Sequence, residues 1–264
     1  MTIYHSFPTM TYTNQYKIWS HKDMKVSKKI RETINNLSVG TTFKYQELDI
    51  SNDEYGAAAK AIERLIAGKQ IKRISTGVFY KPRKTVFGEL RPGEEDLLRP
   101  YLFKGSNRIA YITGTALYNR MGLTTQIPKD IKVASKVKEI RTRIGNINVR
   151  RVKSYVDVTN ENYRMLEILD ALKDFNQIPD LDKNDAIKRL SSTVTSLEKK
   201  NLCLIVQCGS QYPPRARAFL GALLEKTNKD MDLSRLKQSL NPLTEYQLGI
   251  LPDMLSTAEK WNIK

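Results

Sequence analysis

The chain has 264 residues, with 44 Lys and Arg against 28 Asp and Glu, a net charge of +16 and a pI near 9.7. No apolar run approaches the ~20 residues of a membrane span and no signal-peptide pattern opens the chain, so a cytoplasmic protein with no membrane partner is expected. The excess charge is polarised: residues 1–88 and 89–155 carry +8 each and residues 156–264 carry none, which argues against a merely soluble basic surface and predicts a polyanionic partner for the first part.

Residues 1–23 hold both histidines, His5 and His21, and little periodicity, and read as an N-terminal arm. A helix is expected from Met24, because Val26, Ile30, Ile34 and Leu37 recur three or four apart among lysines. Val39-Gly40 breaks it, residues 41–43 suit a short strand and residues 44–48 one short helix. Ser51 and Glu54 then have capping-box spacing. Ala58, Ala61, Ile62, Leu65 and Ile66 form the apolar stripe of the next helix, with Lys60 and Arg64 on a different, solvated face. Gly68 is expected to end it in the left-handed conformation. Ile71 to Ser75, a Thr76-Gly77 turn and Val78-Phe79-Tyr80 predict a hairpin, closed by Pro82.

Helix, short strand, short helix, capped helix and hairpin within about sixty residues is the order of a winged helix-turn-helix, expected over residues 24–84. Such a unit puts its second helix in the major groove and its wing on the flanking backbone. Asn52, Tyr55, Gly56 and Lys60 then fall at the exposed start of the recognition helix. Tyr45 and Arg64 would meet phosphates, and Lys72, Arg73, Lys81, Arg83 and Lys84 sit on or beside the wing. Each residue alone reads equally well as a solvated side chain; the cluster carries the expectation.

The remainder, residues 85–264, divides by composition into a basic, β-rich part (85–158) and a neutral, helical part (159–264). Residues 85–100, with two prolines and two glycines, read as a linker with one short acidic helix. RIAYIT at 108–113 is apolar enough for a strand or a helix start, and residues 115–121 predict a short helix ended by Gly122. Residues 131–158 alternate, with Gly145-Asn146 suited to a turn, and predict a small antiparallel region. Its cations, Lys132, Lys136, Lys138, Arg141, Arg143, Arg150, Arg151 and Lys153, could form a second nucleic-acid surface or simply blunt strand edges. Beyond residue 160, Leu166, Leu169, Leu172 and Phe175 form one helical stripe and Ile187, Leu190, Val194 and Leu197 another. A helix from about Pro214 and further short helical pieces follow. Fold class is therefore α+β: a winged helix, then a mixed domain ending in helices.

Phosphate-loop, zincin, nucleophile-elbow and C-x-x-C motifs do not occur, so no enzyme, no cofactor and no metal is expected. Cys203 and Cys208, five apart in an apolar segment, read as reduced core residues. Asp180 and Asp182 beside Lys183 could hold Mg²⁺ in a DNA-targeted nuclease. An Asp-rich loop that caps a helix is the commoner use.

Six stretches carry a family resemblance: IKR at 71–73, GVFYKP at 77–82, FGEL at 87–90, TGTALYNRMGLTTQIP at 113–128, RIGN at 143–146 and YPPRARA at 212–218. Together they resemble the AbiEi-type antitoxins of bacterial type IV toxin–antitoxin systems, over about residues 24–237, with the block at 113–128 the most specific. The resemblance implies a winged helix that represses its own operon, usually at inverted repeats in double-stranded DNA, with oligomers on DNA possible in principle. It also implies a C-terminal domain opposing a nucleotidyltransferase-like toxin, without direct binding being required, and a role in phage defence. A plain winged-helix regulator with a sensing or assembly domain is the alternative that the residues leave open.

Overall fold

The computed structural model describes residues 21–86, 88–90, 92–136, 141–144, 147–227 and 231–264, and within them the chain is α+β. Residues 1–20 of the expected arm, the expected Gly145-Asn146 turn and Lys138 lie outside the described residues.

Helix α1 (His21–Asn36) starts three residues before the expected Met24, so residues 21–23 of the expected arm are helical, and it buries Val26, Ile30 and Ile34. Strand β1 (Thr42–Lys44) follows, then one 3₁₀ turn (Tyr45–Leu48). The Ser51–Glu54 capping box is formed, with the Ser51 amide donating to Glu54 Oε2 at 3.2 Å. It opens a second 3₁₀ turn that runs straight into α2 (Tyr55–Ala67), whose Ala58, Ala61, Ile62 and Leu65 are buried against α1.

The end of α2 differs from expectation by one residue. Gly68 keeps a right-handed backbone (φ −75°) and Lys69 is the left-handed one (φ 54°). The Lys69 amide donates to Ile66 O and the Gln70 amide to Leu65 O, both at 2.9 Å, which is a Schellman closure with lysine where glycine is usual. Gly68 is used for its size: a Cβ there would stand 3.3 Å from the Arg64 carbonyl oxygen.

Strands β2 (Lys72–Ser75) and β3 (Val78–Tyr80) turn at Gly77 (φ 73°) and join β1 in an antiparallel sheet of order β1-β3-β2. Phe43 and Phe79 face each other across β1 and β3, with ring centroids 5.8 Å apart, over Ile30, Ile34, Leu48, Ile62, Leu65 and Ile71. A bulge between Arg73 and Ser75 interrupts the ladder, and Ile74 packs outward against a separate core cluster.

The stretch expected as a linker is ordered structure. Strands β4 (Arg83–Thr85) and β5 (Gly88–Leu90) form an antiparallel ribbon, so the boundary expected after residue 84 falls inside β4. Helix α3 (Glu94–Leu102) packs on β1. After the short hairpin β6 (Phe103–Lys104) and β7 (Asn107–Arg108) come β8 (Tyr111–Thr113), α4 (Thr115–Arg120), β9 (Asp130–Ser135), β10 (Arg141–Ile144) and β11 (Ile147–Lys153).

The sheet of these strands has the order β10-β11-β9-β8 and is mixed, not antiparallel as expected: β11 lies parallel to β9, in the gap between β9 and β10. Alternation of apolar and basic residues is the same for either direction, so the pattern could not distinguish them. One face, with Ile112, Ile131, Val133, Ile144 and Val149, packs on Leu98 and Leu102 of α3.

The other face, with Tyr111 and Ala134, belongs to a larger core shared with α5 (Tyr163–Lys173), α6 (Lys183–Thr195), α7 (Lys199–Gly209), α8 (Pro214–Thr227) and α9 (Ser234–Gln238). The compositional division at residue 158 therefore runs through one core. Leu166, Leu169, Leu172 and Phe175 are all fully buried in it, as are Ile187, Leu190 and Val194. Cys208 is buried there but Cys203 is exposed, so only one of the two is a core residue; both are free thiols.

Candidate nucleic-acid interface

On α2 the residues left out of the core are Tyr55, Gly56, Ala59, Lys60, Glu63, Arg64 and Ala67, all exposed, and Asn52 is exposed in the turn before it. They form one solvent face because the buried set occupies the α1 side at helical spacing. Tyr45 and Tyr55 are stacked at the start of the helix, with centroids 5.1 Å apart and planes 13° from parallel. The Tyr45 hydroxyl donates to the Tyr55 carbonyl at 2.9 Å. Tyr45 thus braces Tyr55, which is 43% exposed.

The residues expected at the wing separate into four situations. Arg73 is exposed on β2, its guanidinium 5.6 Å from the Phe79 ring centroid. Lys72 is ion-paired with Glu89 of the β4–β5 ribbon, and Arg83 and Lys84 lie exposed on that ribbon rather than on β2–β3. The Lys72 hydrogen bond, followed by the charges of Lys72, Lys84 and Lys69, holds the Glu89 carboxyl below the usual range. Lys81 is used differently from expectation. Its ammonium donates to the carbonyls of Ile34, Asn35 and Leu37 at 3.2, 2.8 and 2.9 Å, closing the C-terminal end of α1 from 44 to 47 residues away.

The basic sheet is partly neutralised. Arg150 pairs with Asp130 at 2.8 Å and Lys136 with Asp157 at 3.4 Å, while Arg151 donates to the Ser135 and Lys136 carbonyls. Lys132, Arg143 and Lys153 are exposed, and β10 comes close to β2.

A second constellation, missed from the sequence, is buried behind that surface. Asp170 on α5 is 2% exposed and accepts four hydrogen bonds. Tyr111 and Thr113 on β8 donate to its Oδ2 at 2.9 and 2.6 Å, and Tyr212 and Lys173 donate to its Oδ1 at 3.3 and 3.1 Å. Tyr118 on α4 donates to Asp174 at 2.6 Å, and Arg215 donates to the Lys173 carbonyl at 2.9 Å. Burial works against the Lys173 ammonium, but the Asp170 and Asp174 carboxylates outweigh it and raise its pKa. Burial first, then the neighbouring carboxylates, pushes the phenols of Tyr111, Tyr118 and Tyr212 far above their ordinary range. The stretches at 113–128 and 212–218 thus converge on one carboxylate. The only trace in the sequence is an aspartate beside the apolar stripe of α5.

Asp182 accepts the Asp185 amide at 3.0 Å and N-caps α6, while Asp180 accepts from Gln126 at 2.9 Å. Both carboxylates of the Mg²⁺ reading are thus hydrogen-bonded within the chain, one as the expected cap. Among the described residues no three His, Cys, Asp or Glu side chains gather as metal ligands, and no helix is long and apolar enough to cross a membrane.

Comparison with curated proteins returns no match. Among solved structures, a crystal structure of the RV2827C protein from Mycobacterium tuberculosis is similar at a TM-score of 0.41, with 11% identity over 84% of each chain. Residues 29–202, from within α1 into α7, match the model of a family of unknown function, DUF6088, and the chain belongs to that family.

Proposed function

We propose that the chain is a DNA-binding, non-enzymatic antitoxin and autorepressor of a type IV toxin–antitoxin operon, opposing a nucleotidyltransferase-like toxin. In this reading α1, β1, the Tyr45–Leu48 turn, α2 and the β2–β3 hairpin make a winged helix-turn-helix. The observation that carries it is α2, which is buried on one side only, with Tyr55, Lys60 and Arg64 on its solvent face and Asn52 exposed in the turn before it. It stands next to a three-stranded sheet in which β3 is buried and Arg73 is exposed on β2. A helix of this kind fits the major groove and a basic hairpin the adjacent backbone. The antitoxin part rests on the resemblance of the stretches at 71–73, 77–82, 87–90, 113–128, 143–146 and 212–218.

The test is a reporter driven by the DNA upstream of the chain's own reading frame, together with co-expression of the neighbouring gene product. The reading predicts repression that Lys60→Ala and Arg73→Ala weaken, and rescue of growth when the neighbour is a nucleotidyltransferase. Repression with no such neighbour would leave a plain regulator. A groove of about 390 Å³ lined by Met121, Arg164, Ile168, Ser196 and Asn201 is where a sensed ligand would then be sought.

A further inference from the structure

All six strand residues of the β4–β5 ribbon are exposed, and Val86 in its turn is 95% exposed. A free two-stranded ribbon is marginal in water, so something must hold or use it. Among the described residues, the Thr85 hydroxyl donates to the Gly88 carbonyl at 2.8 Å within the ribbon, and Lys72 of β2 clasps Glu89. Directly opposed residues share a face, so Lys84 and Glu89 face one way and Arg83 and Leu90 the other. Lys69, Lys72 and Lys84 all act on the single carboxylate of Glu89, which leaves a surplus of positive charge where the ribbon meets the hairpin.

We propose that this ribbon is a second arm of the interface, lying on double-stranded DNA beside the stretch covered by α2 and the β2–β3 hairpin. This rests on the winged-helix reading. Charge selects a polyanion, continuity with β2 selects the same duplex, and a two-stranded ribbon has the width that a groove admits. Arg83 and Lys84 neutralise flanking phosphates. Val86, in the ribbon's turn, is the apolar group that can meet a thymine methyl in the major groove. The Lys72–Glu89 pair fixes the ribbon against the hairpin before DNA arrives, so little ordering is left for binding.

The experiment uses the full chain and a duplex of the DNA immediately upstream of its own reading frame, with a scrambled duplex as control. Binding is measured by fluorescence anisotropy at several salt concentrations and mapped by hydroxyl-radical footprinting. Arg83→Gln/Lys84→Gln should reduce the steepness of log K against log salt by about 1.8, at ~0.9 for each phosphate, and remove protection at one flank only. Val86→Ser should weaken binding at unchanged slope. If the double variant keeps either the wild-type slope or the wild-type flank while Lys60→Ala still weakens binding, the ribbon is not an arm and the winged-helix reading stands. A variant that changes the oligomeric state at unchanged slope would assign the ribbon to a second copy and overturn the proposal. Should the wild type bind neither duplex with a steep slope, both readings fall together.

Discussion

Replacing Asp170 with alanine removes the acceptor on which four donors converge. Lys173 keeps its charge in a setting where its side chain is 16% exposed, and Asp174, 3.5 Å away, neutralises only part of it. Breaking a buried pair costs about 3–5 kcal/mol, and the remaining carboxylate favours the lower end, about 3. Tyr111 and Tyr212 lie 3.4 Å apart and can bond to each other, and Thr113 keeps Tyr118 as a hydrogen-bond partner, so the hydroxyls add little. The loss is then about 3 kcal/mol, or a midpoint lowered by about 6–12 °C in a domain of this size. Thermal unfolding followed by circular dichroism measures it, with Asp170→Asn, which keeps one acceptor, expected at about half. A loss below about 1 kcal/mol for alanine would mean that the cluster is not what joins β8 to the helices.

The same phenols predict a pH dependence. Folded, Tyr111, Tyr118 and Tyr212 stay protonated well past the pH of about 10 at which unfolded tyrosine ionises, so the unfolded chain binds fewer protons above it. Their contribution is complete below that pH and falls above it, by up to about 1.4 kcal/mol per pH unit for each phenol; Tyr212→Phe should flatten the alkaline limb by that amount, and equal limbs would refute the assignment. Gly221→Ala should destabilise by about 3 kcal/mol, because a Cβ there would run into the Trp261 ring, and Trp261→Leu should recover part of it. Lys81→Ala should cost about 1–2 kcal/mol in urea unfolding through the lost cap of α1, yet leave the salt slope of DNA binding as it is. A slope reduced by about 0.9 would return Lys81 to the phosphate contacts.

What the sequence made legible is what local physics decides. Val26, Ile30 and Ile34, or Ala58, Ala61, Ile62 and Leu65, name a buried face through their spacing, and Ser51 with Glu54 names a helix start. Features settled by distant partners were not legible. Lys81 reads as a surface cation until three carbonyls of α1 are seen around it. Asp170 finds Tyr111, Thr113 and Tyr212 at separations of 59, 57 and 42 residues. The ribbon at 83–90 was hidden for a different reason: with both faces in solvent, it has no apolar alternation to betray it. The shift from Gly68 to Lys69 shows propensity yielding to packing at the end of α2.

If the basic first part of the chain recognises a specific duplex, fluorescence anisotropy of the wild-type protein with its own upstream DNA and with a scrambled duplex, across a range of salt, will separate the two. Its own sequence should bind tighter than the control, with a slope of about −0.9 for every phosphate neutralised. Equal and weak binding to both duplexes would mean that no specific duplex is recognised.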